Sequence, residues 1–123
     1  KEWRLKSERQ ATRSMATRPH QFCEMKCGNQ SVIIVPIRSS ENREYLPVAL
    51  FDERTTVNNL AYSIYDGSLF NLALIASRLH LIWISTVCGK LETRFSYSNK
   101  MGWNTFPVPM LTYKNKEDLT RCA

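Results

Sequence analysis

Glycine is scarce in this sequence, 4 in 123 residues, and neither glycine-rich phosphate cradle, G-x-G-x-x-G nor G-x-x-x-x-G-K-[ST], occurs. That removes the usual sequence evidence for a dinucleotide or nucleoside-triphosphate site. Nor is there an N-P-P-Y/F strand end, the mark of adenine-amino methylation. Histidine is scarcer still: His20 and His80 are too few for most histidine-built metal centres. The 11 carboxylates are scattered, with no obvious pair for acid–base work. Five prolines and four glycines exclude collagen and low-complexity chains. The chain begins Lys1-Glu2-Trp3, with charge where a signal peptide needs an apolar core. A self-contained enzyme is not expected. The length suits one domain, a module or a piece cut from something larger.

What is present is an ordinary globular composition, 43% hydrophobic and 23% charged, with a net charge of +6. Such a balance favours an anionic partner. Much of the charge lies at the start: Lys1, Arg4, Lys6, Arg9, Arg13 and Arg18 face only Glu2 and Glu8. Residues 1–17 read as a basic helix or arm, suited to phosphates or simply solvated. With no secretory signal, a cytoplasmic location is expected, with Cys23, Cys27, Cys88 and Cys122 as free thiols. His20, Cys23 and Cys27 form an H-x2-C-x3-C cluster, a weak zinc signal because no second pair follows at finger or ribbon spacing.

The apolar stretch from Ser68 to Cys88 has the length of a membrane span, but Arg78 and His80 lie in its middle. It predicts one long buried helix, capped by Ser68 and stopped by Gly89 at positive φ, and no membrane partner. His80 on it reads as a core histidine rather than a catalytic one. Before it, Ser31–Pro36, Tyr45–Phe51 and Thr55–Tyr65 predict three strands, with Pro36 at a strand end and Asp66-Gly67 as a turn. After it, residues 99–102 read as a turn. Residues 113–123 read as the start of a C-terminal helix, with Asn115 as its cap. Strands, a long helix and more strands predict an α+β fold: a small mixed or antiparallel sheet packed on one long buried helix, in a single domain.

Residues 90–98 alternate strictly. Leu91, Thr93, Phe95 and Tyr97 fall on one face; Lys90, Glu92, Arg94 and Ser96 fall on the other. This predicts a half-buried strand that carries Glu92 and Arg94 on one face, about 7 Å apart. Arginine can bond guanine O6 and N7 together, and glutamate can accept from the cytosine amino group. The pair therefore suits the two edges of one C·G base pair, with Lys90 and Lys100 on flanking phosphates. The plainer account of the same residues is a surface ion pair, worth little.

Several segments in order carry a family resemblance. They are Arg18-Pro19-His20-Gln21-Phe22, residues 39–47 (S-S-E-N-R-E-Y-L-P), Ser77-Arg78-Leu79-His80 through Trp83, residues 87–91 leading into Tyr97-Ser98, and residues 104–109 (N-T-F-P-V-P). Together, over roughly residues 18–110, the chain resembles the target recognition domain of MmeI-type (type IIL) restriction–modification methyltransferases. Departures occur where Lys90 replaces a common Arg, Ser96 a frequent basic residue, Trp103 a Tyr and Val108 a Trp. Lys90 keeps the charge but loses the bidentate fork.

The resemblance implies a sequence-specific double-stranded DNA recognition module, residues 18–112, within a SAM-dependent adenine-N6 methyltransferase and restriction enzyme. The parent's methyltransferase domain is then a partner. The resemblance places base readout at Glu92, Arg94 and Ser96, with a further position near Leu60. Phosphate contacts are expected from Lys90, Lys100, Arg43 and Arg78. No catalytic residue, metal or cofactor is expected in this piece; S-adenosyl-L-methionine belongs to the parent. The competing reading is a protein-interaction module that docks on the methyltransferase domain through Trp3, Trp83, Trp103 and the proline-rich segment, without reading bases.

Overall fold

The computed structural model describes residues 2–123. The chain opens with two short helices, α1 (Glu2–Leu5) and α2 (Gln10–Ser14). The β-branched run Ser31–Pro36 forms β1, which pairs antiparallel with β3 (Ala49–Asp52) on one side and β4 (Ala61–Tyr65) on the other. A second sheet is antiparallel too: β2 (Arg38–Ser39) and β5 (Lys90–Leu91) flank β6 (Arg94–Ser96). The fold is α+β as expected, but with two three-stranded antiparallel sheets in place of one small sheet.

The expected long helix is two helices. α3 (Leu69–Ala76) and α4 (Arg78–Val87) meet at an angle of 60°. Ser77 makes the break: its backbone is extended, at φ −63° and ψ 148°. Its N–H donates to Leu74 O, and its hydroxyl accepts from His80 N at 3.1 Å. One serine thus closes α3 and caps α4, a local bond that competes with helix continuation. Ser68 caps α3 as expected, accepting from Asn71 N. At the far end Cys88 turns the chain with φ −91°, and no glycine has positive φ, so Gly89 is not a left-handed stop. Nor is the pair buried all round: Leu79 and Ile82 are more than half exposed. Among the described residues no single helix is long and apolar enough to cross a membrane, although the bent α3–α4 pair together has the length and composition.

Two expected strands are shorter than their apolar runs. Residues 45–48 stay out of β3 because Pro47 has no N–H to give and Val48 N donates back to Leu46 O. β4 starts only at Ala61, since the Asn58 side chain ties up Leu60 N in a turn. The C-terminal helix α5 (Tyr113–Cys122) is capped by Thr112, whose hydroxyl accepts from Asn115 N; Asn115 itself lies inside the first turn.

One core joins both sheets to the helices. Ile33 and Val35 from β1 meet Ile75 from α3, Leu81 and Ile84 from α4, and Phe95 and Tyr97 at the end of the second sheet. The far end of β1 is pinned electrostatically. Asp66 sits at φ 53° and its carboxylate accepts the backbone N–H groups of Asn29, Gln30 and Ser31. These bonds favour the charged form and hold its pKa below the ordinary value of 3.8.

Candidate nucleic-acid interface

Residues 90–96 form a β-hairpin, not one continuous strand. Lys90 pairs with Phe95 and Leu91 with Arg94, which leaves Glu92-Thr93 as a two-residue turn. Glu92 has φ 56° and is, with Asp66, one of two non-glycine described residues at positive φ. Hairpin turns of this length normally place Gly, Asn or Asp there, and a glutamate costs about 1 kcal/mol more than glycine. A carboxylate is therefore presented at the hairpin tip against the local backbone preference.

Directly paired residues share a sheet face. Phe95, Ser39 and Lys90 lie on one face, with Phe95 and Ser39 buried. Leu91, Arg94, Ser96 and Arg38 lie on the other, and both arginines are exposed. Glu92 and Arg94 thus do not share a strand face. The alternation that predicted it was interrupted by the turn, which also leaves Leu91 54% exposed rather than buried. Arg94 instead gains a companion the sequence did not reveal, Arg38. Among the described residues, Glu92, Arg38 and Arg94 enter no ion pair, so the surface ion-pair account of Glu92 and Arg94 fails.

The hairpin is anchored behind this face. Tyr97, 5% exposed, bonds His80 Nε2 through its hydroxyl at 3.1 Å. His80 is fully buried, edge-on to Phe106 at 4.6 Å between ring centroids. Burial pushes its pKa down to about 4, and no partner meets Nδ1 among the described residues, so the ring is neutral. Burial likewise pushes the Tyr97 phenol up. His80 is the core histidine expected.

Backbone bonds carry the site further. Tyr97 N donates to Ile37 O, and Ile37 N donates to Leu60 O. Leu60, 70% exposed, is therefore two backbone spacings from Tyr97, about 10 Å, at the same end as Arg38 and Ser96.

Three of the four expected phosphate contacts, Lys90, Arg43 and Arg78, border Phe95, on the side away from Arg94. Lys90 lies on the side opposite Arg94, its Nζ 5.4 Å from the Phe95 ring centre. Lys100 is exposed in a π-helical turn, Asn99–Trp103, where a simple turn was expected. Arg43 and Arg78 line a shallow groove with Glu41 and Glu44, and Arg78 meets Glu44 at 3.5 Å. That pair is exposed and weak, and leaves Arg78 able to exchange partners.

The competing readings keep only part of their residues: Trp3 and residues 107–110 are exposed, and the others named for them are not assembled or not free. Among the described residues no group of three His, Cys, Asp or Glu is placed to hold a metal, so His20, Cys23 and Cys27 do not assemble a zinc site. Cys23 lines an open cleft of about 510 Å³ against β4 instead. Trp103 packs on the core and the Trp83 indole N–H is buried, which leaves only Trp3 of the three tryptophans widely exposed.

Comparison with known proteins identifies the family of the chain. Residues 1–110 match the family model of the MmeI target recognition domain. DNA methyltransferase A of Bacillus subtilis (strain 168) is 37% identical over 119 residues, covering 97% of this chain but 14% of that protein. The solved structure of the type IIL restriction-modification enzyme MmeI in complex with DNA superposes with a TM-score of 0.82 at 31% identity, covering 98% of this chain and 16% of that one. The chain thus spans about one-seventh of these relatives, and over that span it belongs to the MmeI target recognition domain family.

Proposed function

We propose that this chain is the sequence-reading module of a larger SAM-dependent DNA adenine-N6 methyltransferase, and that the β5–β6 hairpin enters the major groove. The observation that carries this reading is the face of exposed Arg38 and Arg94 with half-buried Ser96, free of ion pairs among the described residues, capped by Glu92 at positive φ and backed by buried Phe95 and Tyr97. A backbone already held as a hairpin has little freedom of its own left to lose on binding. A two-stranded ribbon fits the major groove, where arginine reads guanine and glutamate accepts from cytosine. Leu60 supports a second reading position beside the first. Residues 18–112 form the reading unit, with residues 1–17 as a basic arm and residues 113–123 as a C-terminal helix.

In this reading the chain does no chemistry of its own. It fixes the register of the duplex while a flipped adenine is methylated by the parent's catalytic domain, which also holds S-adenosyl-L-methionine. Restriction by the same parent and a cytoplasmic location belong to the proposal too. Lys90, Lys100, Arg43 and Arg78 supply phosphate contacts that are independent of sequence. Anisotropy of a labelled random duplex, titrated with the parent enzyme at several salt concentrations, tests them. Log affinity is expected to fall linearly with log salt. Replacing the four cations by alanine is expected to flatten the slope by about 0.9 per lost contact. An unchanged slope would remove all four from the interface.

A further inference from the structure

The free edge of the first sheet is unguarded. β3 lies at the end of the strand order and bonds only to β1. Beyond that pairing, Ala49, Leu50 and Phe51 make no backbone hydrogen bond among the described residues. Edge strands are usually protected by lysine, proline, a bulge or a covering element. β3 has an unbroken register, no lysine or proline within it, and Asp52 as its one charge, at the far end. Leu50 and Phe51 are 43% and 46% exposed, and they point to opposite faces, because Leu50 pairs with core residue Ile33 and Phe51 with Val32.

A helix or loop laid on one face would cover only one of these two side chains. A strand added along the edge covers both and takes up the spare backbone groups. We infer that β3 receives a fourth strand from the remainder of the parent chain. This rests on the reading of the chain as part of a longer methyltransferase. The relatives carry more than four-fifths of their length outside this region, which makes the parent the nearest source of such a strand. A second copy of this chain is the competing occupant.

Residue-resolved amide exchange on the full-length parent, without DNA, tests the inference separately from base readout. Neighbouring amides in a strand point to opposite edges, so β1 alone shields one of Leu50 and Phe51 and leaves the other in water. Both are expected to exchange about 100-fold more slowly than an unstructured chain. In Phe51→Lys, one of them is expected to lose that protection while β1 keeps its own. Fast exchange at either amide in the unmodified parent would overturn the inference. So would protection that disappears on dilution to monomer, which would assign the edge to a second copy.

Discussion

Replacing Arg38 and Arg94 together by alanine in the parent enzyme is expected to abolish discrimination at two positions of the target site while leaving the fold intact. Both side chains are exposed and unpaired, so neither removal opens a cavity or strands a buried charge. Exposed substitutions of this kind stay within about 0.5 kcal/mol in stability. Each bidentate contact to guanine is worth about 1–3 kcal/mol, so each single variant should weaken cognate binding by about 5- to 150-fold. Binding to a random duplex should fall much less. Competition titrations with cognate and random duplexes measure both quantities. Equal losses on the two would make these arginines phosphate contacts instead.

The second large effect is on stability in acid. His80 has its pKa pushed down to about 4 by burial, below the 6.5 of an exposed histidine. Protonation therefore favours the unfolded chain. The contribution is complete above pH 6.5 and is lost as the pH falls from 6.5 through 4, at about 1.4 kcal/mol per unit and about 3 kcal/mol in all. The imidazolium, which carries an N–H on each ring nitrogen, would also leave that on Nδ1 without an acceptor among the described residues. Asp66 acts in the same direction at lower pH. Its folded pKa lies below 3.8, so its contribution is present above that value and is lost as the pH falls through the folded pKa. Denaturant titrations from pH 7 to pH 4.5 are expected to show the decline in the natural sequence and a nearly flat profile for His80→Gln. Parallel profiles would mean that His80 does not titrate as burial requires. The loss should reach function, because Tyr97, which follows β6 directly, is bonded to His80.

Single residues carry some local signals legibly, whereas Gly89 as a left-handed stop and Asn115 as a helix cap do not hold. Ser68 capped a helix, Pro36 ended β1, and Asp66-Gly67 turned the chain. Failures came where two readings share one pattern. A serine inside an apolar helical run looks like an interior residue until its hydroxyl is seen to cap His80 N. The hairpin is hidden in the sequence because Glu92-Thr93 carries none of the Asn-Gly or Asp-Gly chemistry of such turns. The alternation on either side continued through it in phase. Arg38 had no local signal at all. Only its pairing with Ser96, far along the chain, brings it to the face of Arg94. The candidate site was thus legible as a segment, while its true faces depended on long-range register.

The central claim is that this hairpin chooses the base pair. Its most direct test is the methylation site selected by the parent enzyme carrying Glu92→Lys together with Arg94→Asp, read from a library of randomised duplexes. The expected result is a site altered at the hairpin-read position and unchanged elsewhere, since wrong contacts cost about 1–3 kcal/mol each. An unaltered site from an active, folded double variant would contradict base readout by the hairpin.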